Sequence, residues 1–318
     1  MINSSISEQD YKEYLELIKQ GYSQRSACDV LSLSRSSIQR YIKKLDELSV
    51  GDVDTVVNNK VITKAPNKPK VLFYDIETTL AKSYHFQQWQ VNISQKQKIQ
   101  ESHLLSIAWC WNDGDVNGDI LSQQEMLEHD DERLVLKLWC LLDNADIIIG
   151  HNAKRFDNKK ANSYFLKYGL NPPSPYRTID TLQIAKSKFA LPFNNLDYIA
   201  EYLNVGRKIS TDVQLWIDCD KGNQDALDTM LLYNKQDVIV LRDVYKRLLT
   251  WGNNNVNMNT YNDDRFSCTN CGSNKVEMIT NKFVHTNANK YLAYRCNGCG
   301  CIMRANKSGD VSDKLVIV

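Results

Sequence analysis

The sequence has almost no net charge and no long apolar run, and no leader is expected of its opening. Its 39 Lys and Arg against 38 Asp and Glu leave +1 over 318 residues, so no global basic field announces a polyanionic partner. No stretch of about 18 apolar residues occurs, so neither a membrane-spanning helix nor a membrane partner is expected. The opening MINSSISEQDYKEY is without the charged-then-apolar pattern of a secretory signal. Low-complexity blocks are missing too, and with 42% apolar residues the chain can build a packed core. The expectation is a soluble, cytoplasmic protein. Its Asn and Lys richness and modest size fit a bacterial or phage-infected cell.

The length points to two or three domains, and the charge is unevenly spread. Residues 71–251 carry 20 basic and 24 acidic side chains, or −4, whereas residues 252–318 carry 8 and 5, or +3. An acidic middle with a basic tail fits a carboxylate metal site beside a phosphate-contacting arm; ordinary surface variation is the alternative. Of nine cysteines, Cys28, Cys110, Cys140 and Cys219 are scattered and the other five crowd into residues 268–301. In a reducing compartment such a cluster points to metal rather than to disulfides.

Residues 1–48 are expected to form a small all-helical module. Gly21 can end a first helix, and Ser23 and Ser34 can cap a second and third. Ala27, Val30, Leu31, Leu33, Ile38, Tyr41, Ile42 and Leu45 supply a shared core. The stretch GYSQRSACDVLSLSRSSIQRYI resembles a helix-turn-helix, whose third helix would offer Arg35, Arg40 and Lys43 to DNA phosphates and base edges. A helical protein-interaction module with a solvated basic face is the alternative. Residues 49–70 lack periodicity and read as a linker.

Residues 71–251 alternate strand-like and helix-like segments, the pattern of an α/β fold with a mixed sheet flanked by helices. Strands are expected at Val71–Ile76, His103–Trp111, Asp146–Gly150 and Arg177–Asp180. Helices are expected over Asp130–Leu142, Arg155–Tyr168, Asp180–Phe189, Asn195–Leu203 and Gln224–Leu249. The aromatic stretch SYHFQQWQ at 83–90 is read as core or edge packing in preference to base stacking. A polar, Asn-rich linker at 252–262 leads to residues 263–318.

Three pieces of this middle region carry acids in telling positions. Asp75 and Glu77 stand two apart at the end of the apolar run VLFY, so both leave one face of a strand. The stretch IIIGHNAKRFD turns a buried strand sharply at Gly150–Asn152 and delivers Asp157 early in a helix. Tyr233 and Asp237 lie four apart on the last helix and share a face. Asp237 stands amid Leu231, Leu232, Val238, Val240 and Leu241, and a buried carboxylate needs a partner such as a metal ion. Asp180 is adequately explained as a helix N-cap and His151 as a structural residue of the turn. Lys154, Lys159 and Lys160 either approach a bound strand or form a solvated face.

Together these segments resemble the DEDD superfamily of 3′–5′ exonucleases, with a ribonuclease-H-like fold. Asp75 and Glu77 stand in its D-x-E motif, Asn152, Phe156 and Asp157 in N-x-x-x-F-D, and Tyr233 with Asp237 in the Y-x-x-x-D that marks its DEDDy subclass. The resemblance covers roughly residues 71–251. It implies two Mg²⁺ or Mn²⁺ ions, with Asp75, Glu77 and Asp157 ligating one or both and Asp237 completing the first. Tyr233 would orient the attacking water, and a nucleoside 5′-monophosphate would leave. Asn152 would position the turn or the substrate; Phe156 would pack beneath the site or stack near the terminal base.

In the tail, Cys268, Cys271, Cys296 and Cys299 form C-x2-C…C-x2-C, each pair followed by glycine. The spacing suits one tetrahedral, structural Zn²⁺, and the segment resembles a zinc ribbon. Cys301 is a spare that could replace Cys299. The expectation is therefore a free-standing, metal-dependent 3′–5′ exonuclease acting on DNA, or such a subunit supplied to a replication protein. The rivals are an exoribonuclease and a DNA-binding regulator or adaptor whose nuclease fold is inactive.

Overall fold

The structure, a computed structural model, describes residues 68–306 except 88, 208, 253–255 and 262–265, together with 11, 13, 14, 28, 30, 31, 33 and 38. The run VLFYDIET forms β1 (Val71–Thr78), and its apolar continuity suits a strand covered on both faces. Its partners are β4 (Leu104–Trp111), which runs antiparallel, and β6 (Ile147–Gly150), which runs parallel. With β5 (Asn117–Ile120) and β7 (Arg177–Asp180) at the edges, the sheet order is β5-β4-β1-β6-β7. Two short strands, β2 (Lys82–Ser83) and β3 (Lys98–Gln100), pair with each other between β1 and β4.

Seven helices surround this mixed sheet among the described residues: α1 (Gln123–Glu128), α2 (Glu132–Asp143), α3 (Asp157–Lys167), α4 (Thr181–Lys188), α5 (Leu196–Leu203), α6 (Val213–Asp220) and α7 (Gln224–Leu248). Strand alternation divides the core between the two faces. Leu72, Tyr74 and Ile76 join Leu134 and Leu138 of α2 and Tyr164 and Phe165 of α3. Phe73 joins Ile184 of α4, Ile199 of α5, and Val238, Leu241 and Val244 of α7. The expected α/β architecture is thus observed, and every expected strand and helix of this region is present.

Besides the short β2–β3 pair, three elements go beyond the expectation. β5 reads Asn-Gly-Asp-Ile, with no apolar run; it exists because it pairs with β4 and lies under α7. A β-carbon on Gly118 would stand 2.9 Å from both Leu231 and Lys235, so glycine lets the long helix approach. α1 has its own start signal, a reciprocal Ser122–Glu125 capping box. α6 is capped by Asp212, which accepts from Gln214 N.

Beyond α7 the chain returns to the core. Val256 is buried in the α7-side cluster, with Met258 and Tyr261 packed against it, so the segment expected as a polar linker is partly anchored. β8 (Val276–His285), β9 (Lys290–Cys296) and β10 (Ile302–Arg304) then form a separate antiparallel sheet in the order β10-β9-β8.

Near the amino terminus, Tyr14, Cys28 and Ile38 are buried together, with Leu31 and Leu33 against them. Val30, expected in that core, is 60% exposed instead. Two helical residues apart is roughly 200°, so Cys28 and Val30 face opposite ways. Arg35, Arg40 and Lys43 lie outside the described residues. Among the described residues no helix is long and apolar enough to cross a membrane.

Candidate active site

β1 delivers Asp75 and Glu77 on the face covered by α7, the opposite face from Tyr74 and Ile76. α7 brings Asp237 to them, 1% exposed. Asp75, Glu77 and Asp237 each offer a carboxylate oxygen, all within 4.8 Å of one another. Three carboxylates so close repel when ionised, and a divalent cation would offset this. An all-oxygen donor set suits Mg²⁺ or Mn²⁺ rather than a thiolate-seeking metal.

Asp157 starts α3 and is 3% exposed. It stands outside that tight group of three, at the same end of the sheet. The register pairs Phe73 with Ile149, so the chain leaves β6 level with Tyr74 and Asp75. The turn is tight: a β-carbon on Gly150 would lie 2.6 Å from that of Ala153. Asn152 adopts a left-handed φ of 68°, a conformation Asn tolerates. Asp180 clamps this turn, accepting from the N–H groups of Asn152 at 2.9 Å and Lys154 at 3.2 Å. It also caps α4 through Leu182 N at 3.1 Å, so the expected N-cap holds the turn as well.

The residue after Asp157 is fixed from two sides. Asn158 accepts from the Tyr74 hydroxyl at 2.6 Å and donates to Thr178 Oγ1 at 3.1 Å. Burial, then the charges of Asp157, Tyr176, Asp75 and Asp180, hold the Tyr74 phenol well above its ordinary pKa. It therefore remains a donor, and both Asp157 and Asp75 act on it.

Tyr233 stands one helical turn before Asp237, half-buried, its ring edge-to-face with Trp216 of α6 at 5.9 Å and 73°. Phe156 is 41% exposed, so it lines the surface rather than packing beneath the site. His151 is a structural residue of the turn: Nδ1 meets Thr181 Oγ1 and Nε2 meets the Asn194 carbonyl, both at 2.9 Å.

Asn234 escaped the sequence reading. It is fully buried, donates from Nδ2 to Asp75 Oδ2 at 2.7 Å and accepts from Ser106 Oγ at 3.0 Å. The only signal was its place between Tyr233 and Asp237. Because it sets the Asp75 carboxylate, Asn234→Ala is expected to weaken Mn²⁺ binding by about 10–100-fold, the usual effect of losing a residue that orients a ligand. Titration calorimetry checks this; an unchanged affinity removes the positioning role.

Cys268, Cys271, Cys296 and Cys299 also converge, their sulfurs within 4.8 Å of one another. Sγ separations are 3.7 Å for Cys268–Cys299 and 3.6 Å for Cys271–Cys296. A tetrahedron of Zn–S bonds of about 2.3 Å needs edges of about 3.8 Å, so the four sulfurs fit the ion. The two halves match: Gly272 N donates to Cys268 O and Gly300 N to Cys296 O, both at 2.8 Å. Both glycines have φ of 76°, which a side chain would strain. Cys301 lies outside the four; its Sγ contacts the Ile302 carbonyl at 3.5 Å.

Residues 72–249 match the RNase_H superfamily. No curated protein matches the sequence. Among solved structures, the chain is similar to the family B DNA polymerase from the hyperthermophilic archaeon Pyrobaculum calidifontis, at 16% identity and a TM-score of 0.44. That likeness covers 58% of this chain and 25% of the polymerase chain.

Proposed function

The chain belongs to the RNase_H superfamily, and from that footing we propose that it is a 3′–5′ exonuclease, hydrolysing terminal phosphodiesters of DNA to nucleoside 5′-monophosphates. The observation that carries this reading is the convergence of Asp75, Glu77 and Asp237 within 4.8 Å. Asp75, Glu77 and Asp237 would hold one divalent ion in this reading, and Asp75 with Asp157 would hold a second. When bound, such a pair supplies Lewis-acid stabilisation to the attacking and leaving oxygens of an in-line displacement.

The side chains supply position. Asn234 fixes the Asp75 carboxylate. Tyr233, braced by Trp216, points a hydroxyl at the attacking water from the helical face it shares with Asp237. Phe156 meets the terminal base from its exposed position, and the Asp180-clamped turn at Asn152 keeps the strand end in register. The preference for DNA is supported by the helix-turn-helix pattern, with Arg35, Arg40 and Lys43 as its contacts. Zn²⁺ on the four cysteines makes the tail a zinc ribbon, suited to hold nucleic acid or a replication protein.

The test uses one single-stranded sequence as DNA and as RNA, labelled at either end, with Mn²⁺. Progressive shortening of 5′-labelled DNA, with immediate mononucleotide release from 3′-labelled DNA, is the expected result. Faster loss of the RNA assigns an exoribonuclease. Tight duplex binding without cleavage of either polymer assigns a regulator and ends the enzyme reading.

A further inference from the structure

The aromatic stretch between β1 and β4, read from its sequence as core or edge packing, holds its rings in solvent instead. Tyr84 is 73%, Phe86 103% and Trp89 80% exposed. Three large rings in six residues, all in solvent, are an unfavourable surface without a partner.

The segment carrying them is held at its base. Thr79 N donates to the His103 carbonyl at 2.9 Å, and the Thr79 hydroxyl meets His103 Nδ1 at 3.0 Å. β2 and β3 pair above this joint. Tyr84 N donates to the Gln97 carbonyl at 2.8 Å and Gln97 Nε2 returns a bond to the Tyr84 carbonyl at 3.1 Å. Lys82 forms an ion pair with Asp220 of α6. The aromatic tip thus sits on a fixed neck, and the neck springs from β1 two residues beyond Glu77.

The composition of the strap points to its partner. Residues 78–100 contain no Asp or Glu, but six Gln and three Lys; Lys82 and Lys98 pair with Asp220 and Glu101 outside the strap, and Lys96 adds a third cation. Such a stretch stands out within a region of net −4. Cations, amides and exposed rings together suit phosphates, base edges and base faces. Base-on-aromatic stacking is also indifferent to sequence, as an enzyme that trims any end requires.

We infer that the Tyr84–Trp89 strap is a stacking platform for single-stranded nucleic acid leading to the acid cluster, an inference that rests on the exonuclease reading only for what happens at the strand's end. The seven residue steps from Thr79 to Phe86 reach at most about 25 Å, so the strap meets nucleotides a short way upstream of the terminal one.

The test compares the wild type with the pair Phe86→Ala and Trp89→Ala, using fluorescein-labelled dT12 and rU12 in EDTA so that binding is read without turnover. Anisotropy is expected to show about 30-fold weaker binding, the loss of two stacks. The slope of log Kd against log salt should be unchanged, since stacking releases no counterions. The conservative pair Phe86→Tyr and Trp89→Phe should restore affinity while removing most quenching of tryptophan fluorescence by the oligonucleotide. Tightening on dT12 alone or rU12 alone tells which polymer the strap favours. Wild-type affinity in the alanine pair, or no binding of either oligonucleotide by the wild type, overturns the inference. A separate arm follows p-nitrophenyl thymidine 5′-monophosphate with Mn²⁺, a substrate too short to reach the tip. Equal rates are expected for all three proteins. A wild type inert in this arm but binding dT12 through Phe86 and Trp89 fails the exonuclease reading and leaves the strap standing.

Discussion

Asp75→Ala is expected to lower turnover of a 3′-ended strand about 10⁴-fold, a rise of about 5–6 kcal/mol in the barrier, without unfolding the protein. Asp75 is the carboxylate shared between the two proposed ions, so its loss damages both. The residue lies on the site face of β1 rather than filling the core, and its backbone stays paired to Ala108 in β4. Removing it leaves the Asn234 amide without its acceptor, a cost of about 1–3 kcal/mol. It also relieves repulsion among three acids held within 4.8 Å, so the two effects oppose one another.

That opposition gives a readout independent of catalysis. In EDTA the melting temperatures of wild type and variant should differ little. Added Mg²⁺ at about 100 times its Kd should stabilise the wild type by about 2.7 kcal/mol, raising Tm by roughly 5–10 °C for a cooperative unit of this size. The variant should show almost none of that rise. A variant that keeps its Mg²⁺-dependent shift places the ions somewhere other than the acid cluster, and one that keeps its turnover removes Asp75 from the chemistry.

What a sequence discloses of its fold depends on which forces act locally. β1 and β6 were legible because parallel strands buried on both faces must be apolar throughout, as VLFY and III are. β7 was legible to the residue, since Pro172 and Pro173 precede it and the Asp180 cap follows. β5 was not, because its four residues become a strand only by pairing with β4 under a helix more than a hundred residues away. The acids could be read because D-x-E on a strand and Y-x-x-x-D on a helix fix which side chains share a face. Asn234 could not, because its role comes from Ser106 and Asp75, distant in sequence. The exposed rings of 84–89 show the converse: aromatic composition does not say whether a segment outside the sheet has anything to pack against.

The second large effect is expected at the cysteines. Cys296→Ser, or removal of the ion by a strong chelator, should dissolve the β8–β10 sheet while the central sheet survives. β8 has no buried residue, and in β9 only Ala293 and Cys296 are buried, so apolar packing contributes little. Structural zinc sites bind with apparent energies of about 10–16 kcal/mol at neutral pH, enough to decide whether so small a unit folds. Burial pushes the metal-free Cys268 thiol up to about 11 and Cys271 also upward, and against burial the Cys299 and Gly298 N–H groups bring Cys296 down to about 7. The ion must displace the protons on the raised thiols, so zinc should be retained at pH 8 and released as the pH falls. One zinc per chain by atomic absorption, and new proteolytic cleavage within residues 270–304 of the chelated protein, are the expected measurements. The acid cluster should be insulated, because the twelve residue steps from Asp237 to Leu249, whose carbonyl accepts from Asn270, span about 18 Å at helical rise. Hydrolysis of p-nitrophenyl thymidine 5′-monophosphate should therefore persist in Cys296→Ser. If instead the chelated protein keeps its β8–β10 sheet, the cysteines are not what holds that module together.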